Sequence, residues 1–205
     1  MQRKMGGRIQ KIENILKIRY NLDVSWKLSR KIHAQVRDLT SRDNYEAGAL
    51  DFQKIMRKLK IREVILAEFS SDSVSGLLRK DGDEWTIYVN ETDSVRRRRF
   101  TIAHEVGHLI SYLNASLSKA EIDNNKGKIA DFAFAARTGE INSVEAEANA
   151  IAAKLLMPDQ DVISQHGEGK TVEEMAEHFQ VSETAMSVRL RDLDIIPFEL
   201  YHANT

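Results

Sequence analysis

The stretch that decides the fold is RRRRFTIAHEVGHLISYL, residues 96–113, and its centre is the H-E-x-x-H sequence of residues 104–108. Apolar residues recur through it at helical spacing and predict a helix with one face in the core: Ile102, Val106, Leu109, Ile110 and Leu113. Residues four apart share a helix face, so His104 and His108 can point at a single metal ion. Glu105 lies beside them, where it can take a proton from water activated by that ion.

The same letters can also arise by chance on an exposed helix, where two histidines and a glutamate are ordinary solvated residues. Gly107 argues against that alternative, because a glycine inside a helix costs roughly 1 kcal/mol relative to alanine. A glycine between Glu105 and His108 indicates that another part of the chain approaches the helix backbone closely.

Composition indicates a globular protein with enough apolar material for a core. Of the 205 residues, 42% are hydrophobic and 30% are charged, which fits one medium domain with appendages or two small ones. The absence of cysteine excludes disulfides, thiolate metal ligands and cysteine nucleophiles, and it fits a reducing compartment. The first residues lack the apolar region of a signal peptide, and no apolar run is long enough to span a membrane. We therefore expect a cytoplasmic protein without a membrane partner.

Charge is unevenly distributed along the chain. The first 100 residues hold 22 Lys and Arg against 14 Asp and Glu, whereas the remainder holds 8 against 17. Such asymmetry marks either a basic interaction surface or, as we favour, two faces that pack together or stay solvated. The run Arg96–Arg99 is typical of phosphate or acidic partners, but nearby acids favour ion pairs within the protein.

The sequence predicts an α+β fold in three parts. Residues 1–48 are a helical N-terminal extension, with helices over residues 8–20 and 29–39. Residues 49–162 are the core, with a helix over 49–59 and a small antiparallel three-stranded sheet built from residues 64–67, 73–79 and 85–89. The last two strands form a hairpin through residues 80–83. Residues 163–205 form a helix-turn-helix-like C-terminal unit, and the polar stretch 114–143 is a long connection.

A second helix, Val144–Met157, offers the third metal ligand. It is rich in alanine, so another helix can approach it closely, and Pro158 ends it. Zinc bound by two histidines and a carboxylate keeps one coordination position free, so a glutamate should complete the site. Glu145 is preferred, because Asn149 four residues on can orient a ligand histidine. Glu147 remains the alternative.

The segment RRRFTIAHEVGH, followed by EAEANAIAAKLLMP at residues 145–158, resembles the ImmA/IrrE family of bacterial metallopeptidases. The resemblance covers roughly residues 50–161. It implies a zinc endopeptidase, with His104, His108 and Glu145 as ligands and Glu105 as the catalytic base. Zinc is the expected cofactor, and manganese could serve in activity assays. The family's members typically cut helix-turn-helix repressors of mobile elements or of a stress response.

The chain departs from the family pattern at Tyr112, where many members carry a further histidine that is not a ligand. The donor that stabilises the oxyanion is left open among Tyr112, His166, Tyr201 and His202. Each of these four is more often structural than catalytic.

The segment Thr171–Leu193 predicts two helices joined by a turn, with Ser182 as the cap of the second. Residues 171–194 hold six acidic residues against Arg189 and Arg191, so the unit is poorly suited to duplex DNA. We expect a structural or protein-docking role and no direct contact with nucleic acid. Two rival interpretations are a DNA-binding regulator without peptidase activity and a toxin–antitoxin-type binding protein with a structural metal.

Overall fold

A computed structural model describes residues 28–70, 74–114 and 142–196, which form an α+β protein as predicted. Its elements, in chain order, are α1 Arg30–Leu39, β1 Tyr45–Glu46, β2 Ala49–Leu50, α2 Phe52–Leu59, β3 Ile61–Ala67, β4 Gly76–Asp81, β5 Glu84–Asn90, α3 Val95–Asn114, α4 Asn142–Leu156, α5 Asp159–Gly167, α6 Val172–His178 and α7 Glu183–Asp192. The predicted helix over 8–20 and nearly all of the connection 114–143 lie outside these residues. None of the described helices has the length and apolarity needed to cross a membrane.

The three-stranded sheet is mixed, so the prediction of an antiparallel sheet is wrong for one of its two pairings. The strand order is β3-β5-β4, with β5 parallel to β3 and antiparallel to β4. The strand β5 is central because nearly all of its residues are buried, whereas the end of β4 is charged and exposed and therefore suits an edge. The predicted β4–β5 hairpin is confirmed, and Gly82 begins its turn with a φ of +63°.

The helix predicted over residues 49–59 begins later, at Phe52. Ala49 and Leu50 instead form β2, which pairs with β1. Asp51 separates the two elements, since its side chain accepts a hydrogen bond from the Gln53 N–H at 2.9 Å and caps α2. A capping aspartate therefore moves the helix start by three residues.

One hydrophobic core runs through the described chain. Its buried members include Leu28 and Val36 at the N-terminal side, Ile87 in the sheet and Leu190 near the C-terminus. The division into segments 1–48, 49–162 and 163–205 stays a prediction, but the described core extends across both of its boundaries.

The C-terminal helices α6 and α7 lie where the sequence predicts them. Thr171 and Glu174 form a reciprocal capping box at the start of α6. Ser182 caps α7 by accepting a hydrogen bond from the Ala185 N–H at 3.1 Å. These local signals account for the helix boundaries without reference to any binding partner.

Arg189 joins this helix pair to the rest of the protein. It is buried on α7, its Nε donates to the carbonyl of Met157 at 3.0 Å, and its Nη2 donates to Asp159. Lys154 of α4 also pairs with Asp159, at 3.2 Å. One of the two arginines of this helix pair is therefore engaged inside the protein and is not available to phosphate.

Replacing Arg189 with methionine should lower the free energy of unfolding by about 2–4 kcal/mol, because the buried Met157 carbonyl loses its donor. The exposure of Asp159 and its remaining partner Lys154 moderate the loss. Arg191→Met, two residues away at a less buried position, should cost less than about 1 kcal/mol. Urea unfolding of both variants measures the difference. Equal losses in the free energy of unfolding would show that the buried contacts of Arg189 add no more stability than those of Arg191.

Candidate metal centre

The helices α3 and α4 cross in backbone contact at Gly107. A Cβ built on Gly107 would lie 2.6 Å from the carbonyl oxygen of Ala148 and 2.9 Å from its Cα. No side chain fits in that space, so glycine permits the two helices to meet. This contact explains why a helix-breaking residue occupies the middle of α3.

The crossing brings three ligand-type side chains to one point. The Nε2 atoms of His104 and His108 lie 2.9 Å apart. Each also lies 3.3 Å from an oxygen of the Glu145 carboxylate, and together the three residues could hold a metal ion. Ligand atoms about 2.0–2.1 Å from a tetrahedral zinc ion are roughly 3.3–3.4 Å apart. Both distances to Glu145 match that spacing, whereas the two Nε2 atoms are closer together, at 2.9 Å.

Asn149 orients one of the two imidazoles. Its side-chain oxygen lies 2.9 Å from Nδ1 of His104. A carbonyl oxygen can only accept, so Nδ1 of His104 carries the hydrogen, and in the neutral ring Nε2 then keeps the lone pair that a metal would bind. The ring of Phe100, one turn earlier on α3, stacks on His104 with centroids 6.5 Å apart.

The charges of the site favour a metal-binding state of Glu145. Burial raises the pKa of the Glu145 carboxyl, but hydrogen bonds from His104 and His108 outweigh that effect and hold the pKa well below its usual range. Glu145 is therefore ionised at neutral pH, which is the form in which a carboxylate binds metal.

Glu105 lies beside this cluster in a confined space. It is 8% exposed, and burial raises the pKa of its carboxyl above the usual value. A raised pKa is the direction that suits a carboxylate exchanging protons near neutral pH. Gly76, at the start of β4, lies against it, and the methyl of Thr101, one turn earlier on α3, lies against the same point of Gly76.

Comparison with known proteins identifies the family. The family model described as the IrrE N-terminal-like domain, Peptidase_M78, matches residues 59–191, about two-thirds of the chain. The chain belongs to this family. The matched region contains the ligand-type residues on both α3 and α4, so the predicted resemblance to the ImmA/IrrE peptidases is confirmed.

Other comparisons add less. A solved structure of a Mycobacterium tuberculosis transcriptional regulator is similar, with 16% sequence identity and a TM-score of 0.47. The similarity covers 89% of this chain and 51% of that one, so the chain spans about half the length of that protein. No curated protein matches the sequence.

The remaining candidates from the sequence do not join the cluster. Glu147 of this M78-family chain is not part of the group that could hold a metal. Tyr112 packs edge-on against Trp85, with ring centroids 5.2 Å apart. The side chain of His166 is exposed in the last turn of α5 and makes no described contact with the site. Tyr201 and His202 lie outside the described residues.

Three residues around the site were not predicted from the sequence. Phe100 and Thr101 each lie four residues before a residue of the H-E-x-x-H sequence, a spacing that indicates contact on a helix. Gly76 lies inside the predicted strand 73–79, and glycine in a strand can mark a close backbone approach. The partner that approaches Gly76 could not be read from the sequence, because it lies on another element.

The arginine run before the site is partly engaged within the protein, as predicted. Arg97 pairs with Asp93 at 3.0 Å and donates to the Ser75 hydroxyl at 2.9 Å. The guanidinium of Arg99 lies over the ring of Phe52, 5.1 Å from its centroid, and donates to the carbonyl of Leu50 at 3.4 Å. Two of the four arginines thus hold neighbouring segments against the start of α3.

Proposed function

We propose that the protein is a zinc-dependent endopeptidase whose ligands are His104, His108 and Glu145 and whose catalytic base is Glu105. The observation that carries this proposal is the convergence of the three ligand-type side chains, with a buried carboxylate directly beside them. Membership of the M78 peptidase family supports it.

Each side chain has a defined task in this proposal. Bound zinc would supply Lewis-acid chemistry, which polarises a carbonyl and acidifies water. Glu105, confined next to the ligands, takes a proton from the attacking water and returns it to the leaving amine. Asn149 holds His104 in the tautomer that leaves Nε2 free, and the loss of such a partner weakens metal sites by about 10–100-fold.

The sheet offers a way to hold the substrate chain. The strand β4 is an edge of the three-stranded sheet, and its first residue, Gly76, lies against Glu105. An extended peptide that adds to this edge would run past the base, with main-chain hydrogen bonds supplying affinity independent of sequence.

For the substrate, we favour a helix-turn-helix repressor, as the ImmA/IrrE resemblance implies. Direct binding of nucleic acid is not expected, because Arg189 is buried and six acidic residues lie between Thr171 and Asp194. A cytoplasmic location stays a prediction from the lack of cysteine.

The alternative of a metal-stabilised binding protein without catalysis fits less well. Burying a carboxylate costs free energy, and Glu105 would bring no compensating ligand bond to a purely structural site. Glutamate at that position is explained by proton transfer.

The proposal is tested by incubating the protein with the helix-turn-helix repressor encoded beside its gene, in the presence of zinc or manganese. We expect cleavage by the wild type and none by Glu105→Gln, because the amide cannot accept the proton. Glu105→Gln should still bind zinc, which separates loss of the base from loss of the metal. Equal cleavage by both proteins would refute the role of Glu105.

A further inference from the structure

The start of β4 leaves no space for a side chain above Glu105. A Cβ built on Gly76 would lie 2.4 Å from the Thr101 methyl carbon and 2.8 Å from Oε1 of Glu105. The φ of Gly76 is outside the left-handed region, so the backbone conformation alone does not require glycine. Glycine is required for steric reasons, because the main chain of Gly76 lies directly against the Glu105 carboxylate.

Hydrogen bonds from two elements hold the segment that leads into Gly76 in place. The backbone N–H of Asn90 donates to the carbonyl of Ser75 at 2.9 Å, and its side chain donates to the carbonyl of Val74 at 3.3 Å. From the other side, Arg97 of α3 donates to the Ser75 hydroxyl at 2.9 Å. The residue next to Gly76 is therefore joined both to β5 and to the helix that carries Glu105.

The position of Arg97 is unfavourable for α3 itself. Cations repel the positive end of a helix dipole, and the first turn of α3 contains no acidic residue. Asp93 offsets the charge of Arg97 by pairing with its Nε at 3.0 Å, which leaves Nη2 free to reach Ser75. Arg96 is exposed like Arg97, but its side chain makes no hydrogen bond or ion pair with the other described residues.

We propose that Gly76 and Arg97 are positioning residues for Glu105. Gly76 confines the carboxylate between β4 and α3, and Arg97 holds that segment of β4 at the required distance. The inference rests on the proposed function only for the role of Glu105 as base. The contacts themselves can be tested whether or not the protein cleaves a repressor.

The test follows the side-chain carboxyl carbon of Glu105 by NMR in the full-length, metal-free protein labelled with 13C-glutamate. Its resonance is assigned by its loss in Glu105→Gln. In Gly76→Ala we expect this resonance to shift, because the new methyl displaces the carboxylate. Adding Thr101→Ser removes the methyl 2.4 Å from the new Cβ but not the contact with Oε1 of Glu105, so the double variant should lose less stability than Gly76→Ala and keep the shifted resonance.

Two matched controls separate positioning from general effects of substitution. Gly167→Ala adds a methyl where nothing lies within 4 Å, and it should leave the Glu105 resonance unchanged. Arg97→Gln should shift the resonance, whereas Arg96→Gln should not. If Gly76→Ala fails to fold, the comparison of Arg97→Gln with Arg96→Gln decides whether the segment positions Glu105. An unchanged Glu105 resonance in Gly76→Ala or in Arg97→Gln would overturn the proposal.

Zinc affinity and cleavage provide the functional readouts. Gly76→Ala should retain wild-type zinc affinity, because no ligand lies on β4, and its repressor cleavage should fall by about 100-fold through misplacement of the base. If the wild type cleaves no repressor, the proposed function fails while the NMR shifts still decide this inference. Loss of zinc affinity in Gly76→Ala would show general damage and contradict the positioning role.

Discussion

Glu145→Gln is expected to abolish tight zinc binding. The Glu145 carboxylate reaches both imidazoles, with oxygens 3.3 Å from each Nε2, so it occupies the third corner of the only group of potential ligands among the described residues. A neutral amide is a poor replacement for an ionised carboxylate in a site that binds zinc through charge. The loss of affinity should exceed the roughly 10–100-fold that follows from removing a residue that merely orients a ligand.

Zinc-dependent stability provides the measurement for this prediction. A metal that binds only the folded state stabilises it by about 4 kcal/mol at roughly 1,000 times its Kd. Wild-type protein should therefore unfold at a higher temperature when zinc is added, and Glu145→Gln should show little response. Glu147→Gln, two residues away on α4, should respond like the wild type. If zinc still raises the unfolding temperature of Glu145→Gln, or no longer raises that of Glu147→Gln, the assignment of the two glutamates is wrong.

Gly107→Ala should destabilise the protein and weaken zinc binding, although alanine is the better helix former. Intrinsic propensity alone predicts that this change stabilises a helix interior by about 1 kcal/mol. At Gly107 the new Cβ would meet the backbone of Ala148 at 2.6 Å, and backbone atoms cannot rotate away. The helices must therefore separate, at a cost of about 1–3 kcal/mol for an overpacked contact. Separation also moves Glu145 away from His104 and His108.

The sign of the stability change makes the Gly107 experiment decisive. Gly167→Ala is the matched control, because a Cβ added to Gly167 in α5 would have nothing within 4 Å, so alanine should be tolerated without loss of stability. Chemical unfolding and a zinc competition assay should show both losses for Gly107→Ala and neither for the control. A more stable Gly107→Ala with wild-type zinc affinity would mean that the helix crossing does not set the site.

The candidate ligands follow from local sequence patterns, whereas the arrangement of the sheet around them does not. Helical spacing brings His104 to His108, and a glycine in a helix indicates a close neighbour, so both features follow from local rules. The alanine-rich helix and its Glu145–Asn149 spacing predicted the second half of the candidate site by similar reasoning. The contact between Gly107 and Ala148 joins the two halves, and it depends only on residues small enough for the two helix backbones to touch.

The strand order of the sheet and the contact of Gly76 with Glu105 could not be predicted in the same way. Strand order depends on which strand is buried along most of its length, and β5, buried at nearly every residue, lies between β3 and β4 and pairs in parallel with β3. The approach of Gly76 to Glu105 joins residues 29 positions apart and leaves no pattern in either segment. Local patterns thus identify ligands, whereas the residues that confine them emerge from packing.

X-ray absorption spectroscopy of the zinc-loaded wild-type protein tests the central claim most directly. We predict one zinc per chain, with two imidazole nitrogens and at least one oxygen at about 2.0–2.1 Å. The imidazole signal should be lost in a variant that lacks His104 and His108. A protein that binds no zinc, or one whose zinc has fewer or more than two imidazole ligands, would contradict the account.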